Sequence, residues 1–269
     1  MITTDGPKTD AAAVYYNDEV ISKFYRRVWG GSDIHIGLYE TGTETVANAS
    51  AAMTRYLIDH AGLSGTERVL DIACGFGGTL RLLAGMGCKA TGIDISQTCV
   101  EAARSANVEA GFGDQITISV GDFHEISNEI QTWDAVVCQE TLIHSPDRPR
   151  VFAEVFRVLR RGGVFAFSDI LTSNRADADM VRAAFARLKA DPGATVSDYE
   201  TMAREAGFVL EFVEERPEDI ATHYDKLAEV LDRSNDSDFA NIKRSIARWQ
   251  DALAGGHITW ACFVARKPS

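Results

Sequence analysis

Residues 69–78 read Val69-Leu70-Asp71-Ile72-Ala73-Cys74-Gly75-Phe76-Gly77-Gly78, an apolar run that ends in an acid and a glycine-rich turn. Glycines let the backbone bend tightly and approach a ligand without obstruction by a Cβ atom. Because parallel α/β sheets bind their ligands at the carboxyl ends of their strands, this turn is the first candidate for a binding site.

A second acid follows at the corresponding position of the next apolar run. Residues 90–93 lead into Asp94, 23 residues after Asp71. An acid at this position can accept hydrogen bonds from a ribose diol. A dinucleotide-binding turn would read G-x-G-x-x-G and present a pyrophosphate to a helix N-terminus. Here Asp71 leads the loop, and a carboxylate suits a cationic ligand better, so the two acids predict an adenosine-containing cofactor that carries positive charge.

The pattern along the chain alternates strands with helices, which predicts an α/β fold built on a parallel sheet. Two mostly helical segments, 1–62 and 216–254, interrupt it, and we expect them to form a lid and a cap over the cleft. The core then comprises 63–215, and 255–269 supplies the last strand. The predicted strands are 68–73, 89–94, 116–120, 134–138, 164–170, 208–215 and 258–266.

Composition limits the class of protein. A chain of 269 residues, 45% of them hydrophobic, can bury the core of one α/β domain with a small appendage. The net charge of −12 argues against a nucleic-acid partner. Five cysteines without metal-ligand spacing predict reduced core residues and no metal site. With no signal-like or membrane-spanning apolar run, we expect a cytoplasmic protein. A small-molecule substrate is favoured over a nucleic acid, and a homo-oligomer stays open.

The D-x-A-x-G-x-G-G form of residues 71–78 resembles the first motif of class I S-adenosylmethionine-dependent methyltransferases, with Ala73 in place of the usual first glycine. The resemblance implies a Rossmann-like, seven-stranded mixed sheet that ends in an antiparallel hairpin. It also implies that Asp122 meets the adenine amine and Phe123 the adenine ring, although residues 121–123 alone could be an ordinary turn. The implied cofactor-binding set is Trp29, Asp71, Ala73, Gly75, Asp94, Ile95, Asp122, Phe123 and Gln139.

Two further stretches narrow the resemblance. Phe24-Tyr25 and residues 28–39 are rich in aromatic residues and glycines, and residues 138–148 read Cys138-Gln139-Glu140-Thr141-Leu142-Ile143-His144-Ser145-Pro146-Asp147-Arg148. Both resemble the sarcosine and dimethylglycine N-methyltransferases, which make glycine betaine. The resemblance implies an N-methyltransferase that acts on a small amine. A neighbouring group of natural-product methyltransferases shares much of the second stretch, so an O- or C-methyltransferase of a polyketide, sugar or terpenoid is the alternative.

Two other classes are weighed against an N-methyltransferase. A non-catalytic module could bind the cofactor only to sense it, in which case no acceptor would consume it. A dehydrogenase is disfavoured by the Asp71 loop. The acceptor pocket separates the enzyme alternatives, because a bulky acceptor needs a wide cleft and an amino acid needs a closed one with a cationic clamp.

Methyl transfer from a sulfonium is an in-line displacement in which proximity and orientation do most of the catalysis. An alkyl amine has a pKa of about 10.4 and is mostly protonated at neutral pH. The resemblance to sugar methyltransferases implies that His144 takes the proton, with Asp169 as its partner. The alternative for His144 is to cap the helix that begins near Asp147.

Aromatic side chains suit an acceptor that becomes a quaternary ammonium, through cation–π attraction. The predicted acceptor-binding set is Tyr25, Trp29, His144 and Trp260. An arginine would bind a substrate carboxylate, but the sequence does not rank Arg26, Arg27, Arg175 and Arg182. No ligand pattern surrounds His60, His124 or His223, and the sequence assigns them no chemistry.

Overall fold

The structure is a computed structural model that describes residues 9–127, 130–190, 193–234 and 236–269. In these ranges seven strands form one sheet in the order β3-β2-β1-β4-β5-β7-β6. Strand β7 runs antiparallel to both of its neighbours, and the other pairs are parallel. The strands are β1 (Arg68–Asp71), β2 (Lys89–Asp94), β3 (Ile116–Val120), β4 (Trp133–Gln139), β5 (Leu159–Thr172), β6 (Val209–Glu215) and β7 (Ile258–Arg266).

Helices cover both faces of this sheet. Helices α3, α4, α5, α7, α9 and α10 pack on one face together with the amino-terminal segment, and α6 and α8 pack on the other. Short turns add a π-helical turn at Tyr25–Trp29 and 3₁₀ turns at Leu142–His144 and Ser237–Phe239. The helices are α1 (Thr9–Tyr16), α2 (Glu19–Phe24), α3 (Val46–Ala61), α4 (Gly78–Met86), α5 (Gln97–Glu109), α6 (Arg148–Val158), α7 (Ala178–Phe185), α8 (Val196–Glu205), α9 (Pro217–Arg233) and α10 (Ala240–Ala254).

The predicted mixed sheet is confirmed, with the antiparallel pair β6 and β7 at one edge. Strand β1 ends at Asp71, two residues before the predicted end, because the chain bends there into the glycine-rich turn. Strand β5 starts at Leu159, five residues before the predicted start, because it follows α6 directly. The chain passes from β1 outward through β2 to β3 and then returns to β4 beside β1, so the strand order reverses between β1 and β4. Ligands of such sheets bind at this reversal.

Local capping fixes the helices that border the cleft. The side chain of Ser96 accepts a hydrogen bond from the Cys99 N–H at the start of α5. Asp147 does the same for the Arg150 N–H at the start of α6. Such caps satisfy backbone donors that a helix leaves unpaired at its first turn. They also fix where the loops after β2 and β4 end.

The amino-terminal segment and the helices between β6 and β7 share one hydrophobic core with the sheet. Phe24 and Trp29 belong to the same buried cluster as Tyr224 of α9 and Trp249 of α10. The rings of Tyr224 and Trp249 stack with centroids 4.8 Å apart. The division into a lid (1–62), a core (63–215), a cap (216–254) and a last strand (255–269) stays a prediction. All five cysteines are buried and unpaired.

The described ranges show neither a membrane-spanning helix nor a metal site. They contain no helix long and apolar enough to cross a membrane. Within the same ranges, no group of three or more histidine, cysteine or acidic side chains is arranged to hold a metal ion.

Candidate active site

A cavity of about 890 Å³, including the part open to solvent, lies at the carboxyl ends of β1 to β4. The loops after these strands line it together with residues 32–35 and Tyr16 of the amino-terminal segment. Eight of the nine predicted cofactor-binding residues line this first cavity: Asp71, Ala73, Gly75, Asp94, Ile95, Asp122, Phe123 and Gln139. The ninth, Trp29, is not among the described residues that line it and lies in a second, adjoining cavity.

The glycine-rich turn brings the two predicted acids together. The Gly75 N–H donates to Asp94 Oδ2 at 2.9 Å, and the Ser96 N–H donates to Asp94 Oδ1 at 2.8 Å. Gly75 has a φ of +49°, and a Cβ atom there would lie 3.0 Å from Ile34 Cδ1. Both the backbone conformation and the close approach of Ile34 therefore favour glycine at this position.

Three buried carboxylates, those of Asp71, Asp94 and Glu140, line the first cavity and give it its electrostatic character. Burial raises the pKa of Asp71 to about 7, and the neighbouring charge of Asp94 adds to the effect. Burial also raises the pKa of Asp94. Burial lowers the pKa of His35, but its hydrogen bond with Asp33 and the charges of Asp33 and Glu140 outweigh burial and raise that pKa to about 9. The positive charge of the His35 imidazolium balances only one of the acidic side chains that line the cavity. The excess of negative charge fits a cationic ligand such as S-adenosylmethionine.

At the other end of the first cavity, His124 holds Asp122. Oδ1 of Asp122 contacts the His124 backbone N–H at 2.8 Å and His124 Nδ1 at 2.6 Å. The other ring nitrogen, Nε2, lies 2.7 Å from Ser145 Oγ. The ring therefore joins the loops after β3 and β4 and fixes the carboxylate predicted to meet the adenine amine. The sequence analysis assigned His124 no role. Its position two residues after Asp122 was the feature that could have predicted this contact.

The second cavity, of about 340 Å³, adjoins the first. The two cavities share Tyr16, Ile34 and Glu140. Aromatic rings form much of the second cavity's wall, which also includes one arginine. Its lining is Tyr16, Tyr25, Trp29, Ile34, Ile36, Glu140, Ile143, Ile170, Arg187, Leu188 and Tyr224.

Of the predicted acceptor-binding rings, Tyr25 and Trp29 line the second cavity. Trp29 is held by the hydrogen bond that its Nε1–H donates to the His35 carbonyl at 3.0 Å. Trp260 is not among the described residues that line either cavity. Its Nε1–H donates to Glu140 Oε1 at 2.8 Å, so it supports the wall of the site from behind.

His144 lines the first cavity close to the shared wall. Its Nε2 lies 3.3 Å from the Tyr16 hydroxyl. Burial lowers the pKa of His144 to about 4, and the charge of Arg148 adds to the effect, so the imidazole is neutral at pH 7. The side chain of Asp147, rather than His144, caps α6. The Tyr16–His144 pair therefore stands at the junction of the two cavities.

Asp169 lies apart from this junction. Along β5 successive side chains point to opposite faces, and Asp169 faces α8, where Tyr199 donates to its Oδ2 at 2.5 Å. It is fully buried and is not among the described residues that line the cavities. Burial raises its pKa to about 7. The geometry gives His144 a tyrosine partner, Tyr16, and gives no support to Asp169 as its partner.

Sequence reasoning missed three residues that shape the second cavity. Tyr16 and Arg187 come from segments far from the glycine-rich turn, and nothing in their local sequence marks them. Glu140 follows β4 directly, and its position after a strand of the parallel sheet was a usable signal. It has a φ of +49°, a conformation uncommon for residues other than glycine.

Comparisons with known proteins agree with this geometry. A family model described as "Methyltransferase domain" matches residues 70–167. The dimethylglycine N-methyltransferase of Parasynechococcus marenigrum is 32% identical over the whole of both chains. The sarcosine/dimethylglycine N-methyltransferase of Halorhodospira halochloris is 30% identical, with 98% of each chain covered. A solved structure from Galdieria sulphuraria, assigned as a sarcosine dimethylglycine methyltransferase, has a TM-score of 0.85 at 30% identity, covering 93% of this chain and 99% of that one.

The match of the family model contains the glycine-rich turn, both acids of the first cavity and the Gln139–His144 segment. The similarity to the relatives extends beyond it to the amino-terminal segment and the helices between β6 and β7, which build the second cavity. The chain therefore belongs to the S-adenosylmethionine-dependent methyltransferases, in the family of the sarcosine and dimethylglycine N-methyltransferases.

Proposed function

We propose that this protein transfers the methyl group of S-adenosylmethionine to the amine nitrogen of sarcosine or dimethylglycine. The observation that carries the proposal is the second cavity, which is small, lined by aromatic rings and joined to the cofactor cavity through Tyr16, Ile34 and Glu140. The second cavity, about 340 Å³ including the part open to solvent, is less than half the size of the first, which is about 890 Å³ on the same measure, so it suits a small amine better than a polycyclic or glycosidic acceptor. The relatives named for these two amines, similar over the full length, support the same choice.

The residues of the first cavity would hold the cofactor. Asp71 would bind the cationic methionine part, Asp94 the ribose hydroxyls, and Asp122 with Phe123 the adenine. Bound there, the cofactor supplies an electrophilic methyl group on a sulfonium centre. The carboxylates are positioned before binding by backbone donors and by His124, so little reorganisation accompanies the reaction.

The rings of the second cavity would exclude water around the acceptor nitrogen. Removal of water lowers the pKa of an alkyl ammonium and so favours the neutral, nucleophilic amine. The faces of Tyr25 and Trp29 attract the positive charge that develops as the nitrogen is methylated. These effects favour the transition state over the ground state, which is the condition for catalysis.

The Tyr16–His144 pair would orient the amine. A neutral imidazole can accept a hydrogen bond from the Tyr16 hydroxyl, which leaves the phenolic oxygen free to accept the N–H of sarcosine, or that of dimethylglycine before its nitrogen loses its proton. Burial keeps the pKa of Tyr16 well above its usual value, so the hydroxyl stays protonated. With a pKa of about 4, His144 is a weak base, and its role in this proposal is to hold Tyr16.

The test is a turnover assay with methyl-labelled S-adenosylmethionine against glycine, sarcosine and dimethylglycine, with phenols and glycosides as alternative acceptors and products identified by mass. We expect labelled dimethylglycine from sarcosine or labelled betaine from dimethylglycine. The Tyr16→Phe variant should bind cofactor normally and lose about 10- to 100-fold in kcat, because it lacks the orienting hydroxyl. Cofactor binding without transfer to any of the three amines would refute the proposal, and transfer to a phenol or glycoside would move the assignment to that acceptor.

A further inference from the structure

The second cavity carries opposite charges, and this arrangement bears on which acceptors the proposed reaction accepts. Glu140 lies on the wall shared with the cofactor cavity, whereas Arg187 lines the second cavity alone. The carboxylate therefore stands beside the place where the methyl group arrives, and the guanidinium is set back from it.

Arg187 is a cation without a carboxylate partner. Its Nε donates to Ser245 Oγ at 3.0 Å, and Nη1 donates to the Tyr15 hydroxyl. Its guanidinium also lies over the rings of Tyr15 and Phe24, at 5.6 and 5.7 Å from their centroids. It forms no ion pair with any carboxylate of the described ranges. Since an unpaired charge away from water is costly, an anion that enters the cavity would be strongly attracted to it.

Glu140 has the opposite character, because its oxygens are already occupied. Oε1 accepts hydrogen bonds from Ser168 Oγ at 2.6 Å and Trp260 Nε1 at 2.8 Å, and Oε2 accepts one from the Ile36 N–H at 2.7 Å. These three donors fix the carboxylate in place, and its positive φ shows that the surrounding structure holds the backbone there too. A fixed carboxylate at the shared wall stabilises the positive charge that develops on a nitrogen at that end of the cavity as it is methylated.

From these two ends we infer that the acceptor binds with its carboxylate on the Arg187 guanidinium and its amine toward Glu140 and the cofactor cavity. The inference rests on the proposed function and assigns Arg187 as the residue that selects amino acids over other amines. A planar guanidinium with free N–H groups matches a carboxylate better than a hydroxyl, so an amino alcohol of the same size should bind poorly.

The test compares dimethylglycine with dimethylaminoethanol, in which a neutral hydroxymethyl group replaces the carboxylate. For the unaltered protein we expect kcat/KM to favour dimethylglycine by at least about 100-fold, since hydrogen bonds between charged groups are strong. In Arg187→Gln, KM for dimethylglycine should rise about 100-fold, and the preference over the amino alcohol should largely disappear. Arg182→Gln, an exposed arginine of α7, is the matched control and should behave like the unaltered protein.

Binding of S-adenosylhomocysteine and a cooperative melting transition serve as controls for folding, and Arg187→Gln should retain both. If that variant does not fold, Arg187→Lys keeps the charge but loses the planar fork, and we expect KM for dimethylglycine to rise about 10-fold. A preference for the acid that is undiminished in Arg187→Gln, or in Arg187→Lys if that variant is the one that folds, would overturn the role of Arg187 and leave the proposed function intact. Absence of turnover with dimethylglycine and sarcosine in the unaltered protein would overturn both.

Discussion

Asp71 illustrates how a single residue links cofactor binding to pH. Burial raises its pKa to about 7, from a usual value near 4, so in the free protein the carboxylate is protonated below pH 7. A cationic ligand requires the ionised form. We therefore expect affinity for S-adenosylmethionine to fall as pH is lowered from 7 to 5.5, by up to about tenfold per pH unit. Titration calorimetry across this range measures the effect.

The matched variant is Asp71→Asn, which keeps a side-chain oxygen for the Ala73 N–H but cannot ionise. It should bind the cofactor weakly at every pH and show a flatter pH dependence. Its free form should also melt at a higher temperature at pH 8, because the ionised Asp71 costs at most about 4 kcal/mol of stability there. An equally steep pH dependence in the variant would assign the titration to another group, with Asp94 the first candidate.

Some residues of this site were predictable from the sequence and others were not. Asp71, Asp94 and Asp122 were predictable because each follows a strand of a parallel sheet, where topology alone brings side chains together. Arg187 was not, because its place in the cavity depends on how the turn after α7 packs against Tyr15 and Phe24 of the amino-terminal segment. Asp169 lies toward the carboxyl end of β5, where the same rule would place it at the cavity. However, neighbouring residues of a strand point to opposite faces of the sheet, and the side chain of Asp169 points toward α8.

At the scale of elements, the glycine-rich turn between β1 and α4 joins the two acids to the amino-terminal segment. We expect Gly75→Ala to weaken cofactor binding by at least about tenfold, because a Cβ atom would force apart Ile34 and the turn and because φ is +49°. The change would also disturb the Gly75 N–H that holds Asp94. Measurement of S-adenosylhomocysteine affinity tests this expectation.

Gly42→Ala is the control for Gly75→Ala. Gly42 also has a positive φ, of +73°, but its added Cβ would meet no atom within 4 Å. Both variants should lose about 1 kcal/mol of stability from backbone strain, and only Gly75→Ala should lose cofactor affinity. Equal affinities in the two variants would show that the turn tolerates a Cβ and that the glycine serves conformation alone.

Element positions followed well from the sequence wherever apolar periodicity and turn residues agreed, as for β2 and β3, whose predicted and observed bounds coincide. The π-helical turn at Tyr25–Trp29 was not predictable, because its aromatic residues are equally compatible with an ordinary helix. Its geometry matters, since the Gly30 that ends it has a φ of +120° and a Cβ there would lie 2.8 Å from Ala47 Cβ. The close packing of this turn on α3 places Trp29 in the second cavity.

At the scale of the whole molecule, the net charge of −12 opposes compaction. Acidic residues outnumber lysine and arginine by 39 to 27, and most ion pairs of the described residues lie on the surface, where each contributes at most about 1 kcal/mol. Salt weakens these pairs, but it also screens the repulsion among the excess carboxylates, and this second effect should dominate at such a charge imbalance.

We therefore expect the melting temperature to rise by a few degrees between 0.02 and about 0.3 M sodium chloride, where the Debye length falls below 10 Å. The comparison requires constant pH, because Asp71 titrates near 7, and absence of cofactor, whose own binding would stabilise the fold. A sucrose solution of equal osmolality is the control, because sucrose is excluded from the protein surface but does not screen charges. A rise in melting temperature that only salt produces is therefore due to screening. A melting temperature that falls with salt would mean that the surface ion pairs outweigh the net repulsion. In that case, neutralising Lys23 should destabilise the protein, because Lys23 contacts both Asp236 and Asp238.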